Sequence, residues 1–281
     1  MRHLILIFIS AFIPVSFLAA QPGTRNVDNA IITLSVSGKT VVVDDLTTTD
    51  SLAENGQILS RGEFALAAKS DKELKELMSI FISNSSAETD RTGPGVPAGL
   101  QLVFTRSNLQ THAAEDREYK NASITYILLS ALDATQREKL QFRIRFQSAE
   151  LSVKNYESRI THRFGVTKAI IGSNFRIRVG DLPERRISGI GPLELHRTLE
   201  KKTFNIEISR TDAAAWTEQL LKNSTSGKTI EGEITLLGLD MKEELMKFTL
   251  TEIMVVKLVD EGAPLRVKFS LRGIVELNAG F

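Results

Sequence analysis

The sequence predicts a mainly β protein, built as two tandem antiparallel β-barrel or sandwich domains with one short α-helix in each. Three observations carry this expectation. One order of elements recurs from about Ile31 to Val153 and from about Phe175 to Leu277: two strands, a strand that meets a capped helix, then three more strands. Several segments alternate strictly, above all Leu140, Phe142, Ile144 and Phe146 against Gln141, Arg143, Arg145 and Gln147, the period of a half-buried strand. Each half also holds a single helical stripe behind a polar cap.

The domains expected are a signal peptide over 1–20, a flexible leader over 21–29, a first β domain over 30–157, a charged connector over 158–173 and a second β domain over 174–281. Met1, Arg2 and His3 precede an apolar run from Leu4 to Leu18 that ends in Ala19, Ala20 and Gln21, the pattern of a Sec-type signal peptide cut near Ala20. The run falls short of the ~20 residues that span a bilayer. The expected location is therefore periplasmic or secreted, with no stable membrane anchor after cleavage.

None of the 281 residues is cysteine, which excludes a lipoprotein anchor, disulfides and thiolate metal sites. Stability then rests on the core, which the 42% apolar content can supply. Loss of Arg2 with the leader takes the 35 basic residues to 34, against 34 acidic. This balance gives no general reason to expect nucleic acid or an anionic membrane as partner.

In the first half, Ile31 to Val36 reads as a strand turned at Ser37, Gly38 and Lys39, and Val41 to Val43 begins the next. Gly62 to Lys69 is a third strand. Ser70 with Glu73 forms a capping box, and Leu74, Leu77, Met78, Phe81 and Ile82 make one helical face. Gly93, Pro94, Gly95 and Pro97 punctuate a loop, Leu100 to Phe104 alternates as a strand, and the polar stretch from Asn108 to Glu118 reads as a solvated loop or frayed turn. Tyr119 to Leu132 is rich in β formers and precedes the alternating strand at 140–147.

In the second half, Phe175, Ile177 and Val179 alternate with Arg176 and Arg178 up to a turn at Gly180 and Asp181. Gly189, Gly191 and Pro192 lead to a strand at Leu193 to Leu195, and Phe204, Ile206 and Ile208 form a third strand. Thr211 and Asp212 read as a cap, followed by a helix with Trp216, Leu220 and Leu221 inward and Gly227 after its polar end. Strands at 230–237, 247–259 and 265–277 complete the unit. Between halves, Tyr119, Ala122 and Ile124 fall on Phe248, Thr251 and Ile253, and Phe142, Ile144 and Phe146 fall on Val267, Phe269 and Leu271.

Three segments of the second half, Phe175 to Leu195 with its Ile187, Ser188, Gly189 and Ile190 turn, Phe204 to Leu221, and the strand pair at 230–236 and 246–258, together resemble the contractile-tail tube family. That family includes phage tail tube proteins and the haemolysin-coregulated (Hcp) tube protein of type VI secretion. The resemblance covers the second half and, more faintly, the first. It implies an antiparallel β-barrel or sandwich capped by a helix, of a kind that assembles edge to edge into rings. Two features depart from it: the signal peptide, and two barrels in one chain.

No catalytic, cofactor-binding or metal-ligating residue is expected. The histidines at 3, 112, 162 and 196 lie far apart without partners at ligand spacing. Ser188 lacks the glycine two residues before it that a nucleophile elbow requires, so it reads as turn chemistry. Gly189 and Gly191 are too short for a phosphate loop and open no helix. Asp44 with Asp45, and Glu115 with Asp116, could be read as paired carboxylates, but adjacent residues on a strand point to opposite faces, so neither pair converges on a substrate by itself.

Lys168, Arg176, Arg178, Arg185, Arg186, Arg197, Lys201 and Lys202 form the one local charge bias, without the interleaved aromatics of a single-strand nucleic-acid platform. The expectation is an exported, non-enzymatic structural or interaction protein without cofactor. Its partner is itself, as in a trimeric ring, or another envelope or secreted protein. The alternative is a monomeric ligand-, glycan- or protein-binding module.

Overall fold

The computed structural model describes residues 30–52, 58–85, 99–157, 169–184, 186–195, 200–259 and 264–278. The signal peptide, the leader, the loop with Gly93 to Pro97, most of the connector, and residues His3, His162, Lys168, Arg185, His196 and Arg197 lie outside these. The first half runs through β1 (Ala30–Val36), β2 (Lys39–Val43), β3 (Asp45–Leu52), β4 (Ile58–Ala67), α1 (Lys72–Ser83), β5 (Leu100–Asn108), β6 (Ala113–Leu129), β7 (Leu132–Asp133), β8 (Gln141–Ser148) and β9 (Glu150–Glu157). The second half runs through β10 (Phe175–Val179), β11 (Ile187–Ile190), β12 (Leu193–Glu194), β13 (Lys202–Ser209), α2 (Ala213–Ser226), β14 (Ile230–Leu237), β15 (Glu244–Val259) and β16 (Arg266–Leu277). The protein is mainly β, with two antiparallel sheets and one α-helix in each half.

Both sheets share one strand order. In the first, β1-β5-β6-β8-β4-β3 are successive neighbours, and in the second β10-β14-β15-β16-β13-β11 take the same places. The match extends to register. Leu102↔Tyr119, Phe104↔Arg117 and Arg106↔Glu115 in the first half correspond to Gly232↔Leu250, Ile234↔Phe248 and Leu236↔Met246 in the second. Ile124↔Phe146, Tyr126↔Arg145 and Ile127↔Ile144 correspond to Val255↔Leu271, Lys257↔Ser270 and Leu258↔Phe269, with the ladder skipping at the same point.

This register corrects one pairing inferred from sequence. Tyr119, Ala122 and Ile124 match Leu250, Ile253 and Val255, two residues beyond the positions that pattern suggested. An even slip leaves every side chain on its own face, so alternation alone does not detect it. The left-handed residues Asn121 (φ 50°) and Glu252 (φ 51°) mark the shared bulge. The correspondence of Phe142, Ile144 and Phe146 with Val267, Phe269 and Leu271 agrees with the ladders.

Local signals in the sequence agree mostly with the structure, with six corrections. Asp71, not Ser70, caps α1, its Oδ1 accepting from the Leu74 N–H at 2.6 Å, and a carboxylate there also meets the positive end of the helix dipole. Thr211 and Asp212 form part of a 3-10 turn that leads into α2 without a side-chain cap. Leu221 is 60% exposed, because one helical face contains Trp216, Leu220 and Asn223 at i, i+4 and i+7. Residues 113–118 are strand and not loop, since β6 is paired on both sides by β5 and β9, which meets its backbone whatever its side chains. Gly189 lies within β11, and β3 is a strand that sequence reading passed over.

The halves interlock. β7 of the first half pairs with β11 of the second, and β12 of the second pairs with β6 of the first. The Ile170 N–H donates to Ala68 O at 2.8 Å and the Leu140 N–H to Ile170 O at 2.9 Å, tying the connector's end to the first half. One continuous apolar core runs through both sheets, including Phe64, Phe104, Phe142 and Phe146 in one and Phe204, Trp216, Phe248 and Phe269 in the other. Each such side chain contributes about 1.5–3 kcal/mol on burial.

Candidate functional site

Residues singled out from sequence stay dispersed. His112 is exposed at the β5–β6 tip, and among the described residues no group of His, Asp and Glu could hold a metal ion. The Ser188 hydroxyl donates to Glu207 Oε1 at 3.0 Å on the bulged strand β11. Asp44 accepts from Gln141 Nε2 at 3.3 Å. Glu115 pairs with Arg117 Nε at 2.6 Å, whereas Asp116 accepts from Thr105 at 2.6 Å and Tyr156 at 2.9 Å, so the two carboxylates serve opposite faces.

Three of the described residues of the basic bias are met by acids. Arg176 faces Glu244 at 3.7 Å, Lys201 faces Glu252 at 2.5 Å, and Lys202 lies between Glu200 at 3.0 Å and Glu194 at 3.4 Å. Arg186 donates to the Thr211 hydroxyl at 2.5 Å. Among the described residues no uniform cationic surface results.

Where the two units differ is more informative. In the first, β2 pairs with β1 at one end of the sheet path and β3 pairs with β4 at the other, and only Asp44 separates β2 from β3. The path therefore closes on itself as a barrel. In the second unit the segment after β10 reads Asp181, Leu182, Pro183, Glu184, Arg185, Arg186, where β2 reads Lys39, Thr40, Val41, Val42, Val43. Proline has no N–H for a ladder and charged residues are poor strand formers, while valine and threonine favour the pleat. The segment instead forms a cleft of about 650 Å³ lined by Arg178, Leu182, Pro183, Glu184, Arg186 and Asp212, and Trp216 Nε1 donates to Pro183 O at 3.4 Å.

As a result β10 is an end strand of the second sheet. The Gly180 N–H donates to Glu231 O of β14 at 2.8 Å. Alternation along the strand then turns the backbone groups of Phe175, Ile177 and Val179 away from β14, toward the side where β2 lies in the first unit. Among the described residues no strand pairs there.

The second difference lies inside the barrel. Positions filled by the buried Leu236, Met246, Phe248 and Leu250 in the second unit carry an exposed Arg106, half-buried Glu115 and Arg117, and a buried Tyr119 in the first. Arg117 spans this end, with its Nη1 donating to Thr48 Oγ1 of β3 at 3.3 Å, and Glu115 raises its pKa. The Tyr119 ring packs against Phe146 at 4.9 Å between centroids, and burial pushes its phenol pKa up. Its hydroxyl lies beside Thr48 and Arg117 yet makes no hydrogen bond of good geometry, and the Ser60 hydroxyl on β4 is likewise buried without a partner. Sequence reading dismissed residues 108–118 as solvated. The signal it held was the polar tail of a strand whose later residues, Tyr119 and Ile124, are core.

On the outer face, the Glu63 carboxylate accepts from Arg145 at 2.6 Å and Arg143 at 3.3 Å, and Arg145 holds its pKa below the ordinary value. Arg145 also lies 4.9 Å over the Tyr126 ring. Glu63, Tyr126 and Arg145 line a groove of about 500 Å³ with Thr47, Arg61 and Gln147. Glu63 and Arg145 satisfy each other within it, so this part reads as a stabilised sheet face. No protein-family model matches the chain, and no curated protein matches its sequence. Among the described residues no helix is long and apolar enough to cross a membrane.

Proposed function

We propose that the chain is an exported, non-enzymatic structural or interaction protein whose two tail-tube-like units assemble through strand edges. The observation that carries this reading is the side of β10 on which no strand pairs among the described residues, in the place that β2 occupies in the first unit. An end strand with outward N–H and C=O groups is a template for another strand. A trimer of this duplicated chain presents six similar units around one axis, as a ring requires.

Size-exclusion chromatography with light scattering on the chain from Gln21 tests the proposal. A trimer or larger ring is expected, and a strict monomer overturns it. Phe175→Pro removes one outward donor at the first residue of β10, where proline is best tolerated. The variant is expected to lose the assembly while keeping the wild-type circular dichroism spectrum.

A further inference from the structure

We infer that the polar end of the first barrel is a binding site for a neutral polyhydroxylated ligand, a sugar unit of a glycan. The inference does not depend on edge assembly and stands on the contrast between two units of the same register. Leu236, Met246, Phe248 and Leu250 are all buried in the second unit, so this fold closes the end of its core with apolar side chains. The first unit places Arg106, Glu115, Arg117 and Tyr119 at those positions, on cross-strand pairs that match one for one. Packing alone does not call for that exchange, because the apolar solution exists in the same chain.

Among the described residues the first unit leaves three buried hydroxyls without partners, those of Ser60, Tyr119 and Ser123, and the first two bear on this end. The Tyr119 hydroxyl and Ser60 Oγ are buried and unbonded among the described residues. Both belong to the inward face at this end, with Thr48 and Asp50 between them: Asp50 pairs across β3–β4 with Ser60, and Thr48 with Gly62. An unmet hydroxyl pair beside a guanidinium and carboxylates is the inventory that sugar hydroxyls satisfy, since each both donates and accepts.

Charge argues for a neutral ligand over an ionic one. Arg106 and Arg117 are balanced by Glu115 and Asp50, and Glu115 already pairs with Arg117. Val153, opposite Arg117 on β9 and 50% exposed, supplies an apolar surface at the rim for the C–H face of a pyranose. The ordered water that polar interiors hold is the simple competitor.

Saturation-transfer difference NMR on the full chain from Gln21, with glucose, galactose, mannose and N-acetylglucosamine as probes, tests the site. At least one sugar is expected to receive saturation, and to shift backbone resonances at 48–50 and 115–119. Tyr119→Phe is expected to weaken it about tenfold, the loss of one hydrogen bond to an uncharged ligand. Arg117→Phe with Tyr119→Leu, which installs the second unit's residues, is expected to abolish it. No saturation for any sugar, shifts elsewhere on the surface, or undiminished binding by Tyr119→Phe each overturn the inference in favour of bound water only. The shift map on the wild-type chain decides the matter even if the double variant does not fold.

Discussion

Replacing Gly62 by alanine adds one methyl group where there is no room for it. A Cβ at this position lies 2.4 Å from Phe146 Cε1, 2.5 Å from Phe146 Cζ and 3.2 Å from Thr47 O. The ring cannot easily yield, since Phe104 at 5.6 Å, Tyr119 at 4.9 Å and Phe64 at 6.1 Å between centroids surround it. Overpacking of this kind costs about 1–3 kcal/mol, and the stiffer unfolded chain of alanine returns about 0.5 kcal/mol. Gly62→Ala is therefore expected to lower unfolding stability by about 1–2 kcal/mol. The second unit solves the same packing problem in reverse, with Phe204 where the first has Gly62 and Leu271 where it has Phe146. Phe146→Leu alone leaves a void and costs roughly 1–2 kcal/mol, but in the double variant the methyl occupies part of that void. Urea unfolding followed by far-UV circular dichroism gives all three values. The double variant should be at least about 1 kcal/mol more stable than additivity requires. A Gly62→Ala variant within about 0.5 kcal/mol of wild type, or strict additivity, refutes the packing argument.

Tyr119→Phe, which deletes a buried hydroxyl without a partner, should leave stability unchanged or raise it by up to about 1 kcal/mol in the same urea assay. Asn223 is buried at the end of α2, where its Nδ2 donates to Lys228 O and its Oδ1 accepts from the Val255 N–H at 2.9 Å, so Asn223→Leu strands that N–H and should cost about 1–3 kcal/mol by thermal or urea unfolding. Glu63 has its pKa lowered by Arg145, so its contribution is present above the ordinary carboxylate pKa and is lost as pH falls through the depressed value. Arg145→Gln should move the Glu63 titration, followed by carboxyl NMR, back up toward the ordinary range, with a stability loss at neutral pH of no more than about 1 kcal/mol for this partly exposed pair.

Elements were legible wherever one residue's neighbours along the chain decide its state. The inward faces of β8, β13 and α1 could be read directly, because alternation and helical spacing are properties of a short window. Asn223 shows the limit of that window. It reads as part of a polar helix end, yet the bulge of β15 draws it into the core to satisfy the Val255 N–H. Residues 113–118 fail for the complementary reason: their polar side chains conceal a strand that exists because β5 and β9 flank it. Neither polar end was legible as a candidate site, since each took its meaning from partners far away in sequence.

By itself the sequence determined the fold class, the two-unit plan, the single helix per unit and the alternating faces, all of which follow from local periodicity repeated in each half. Only the tertiary structure decided how those faces meet. It placed the register two residues from where pattern put it, because an even slip is silent to alternation. It closed the first sheet through β2 and left β10 at an end of the second, because pairing depends on whether a distant segment can donate its N–H groups. It also turned Glu115, Arg117 and Tyr119 into the polar end of a barrel, because the inside of a strand is defined by what lies across from it.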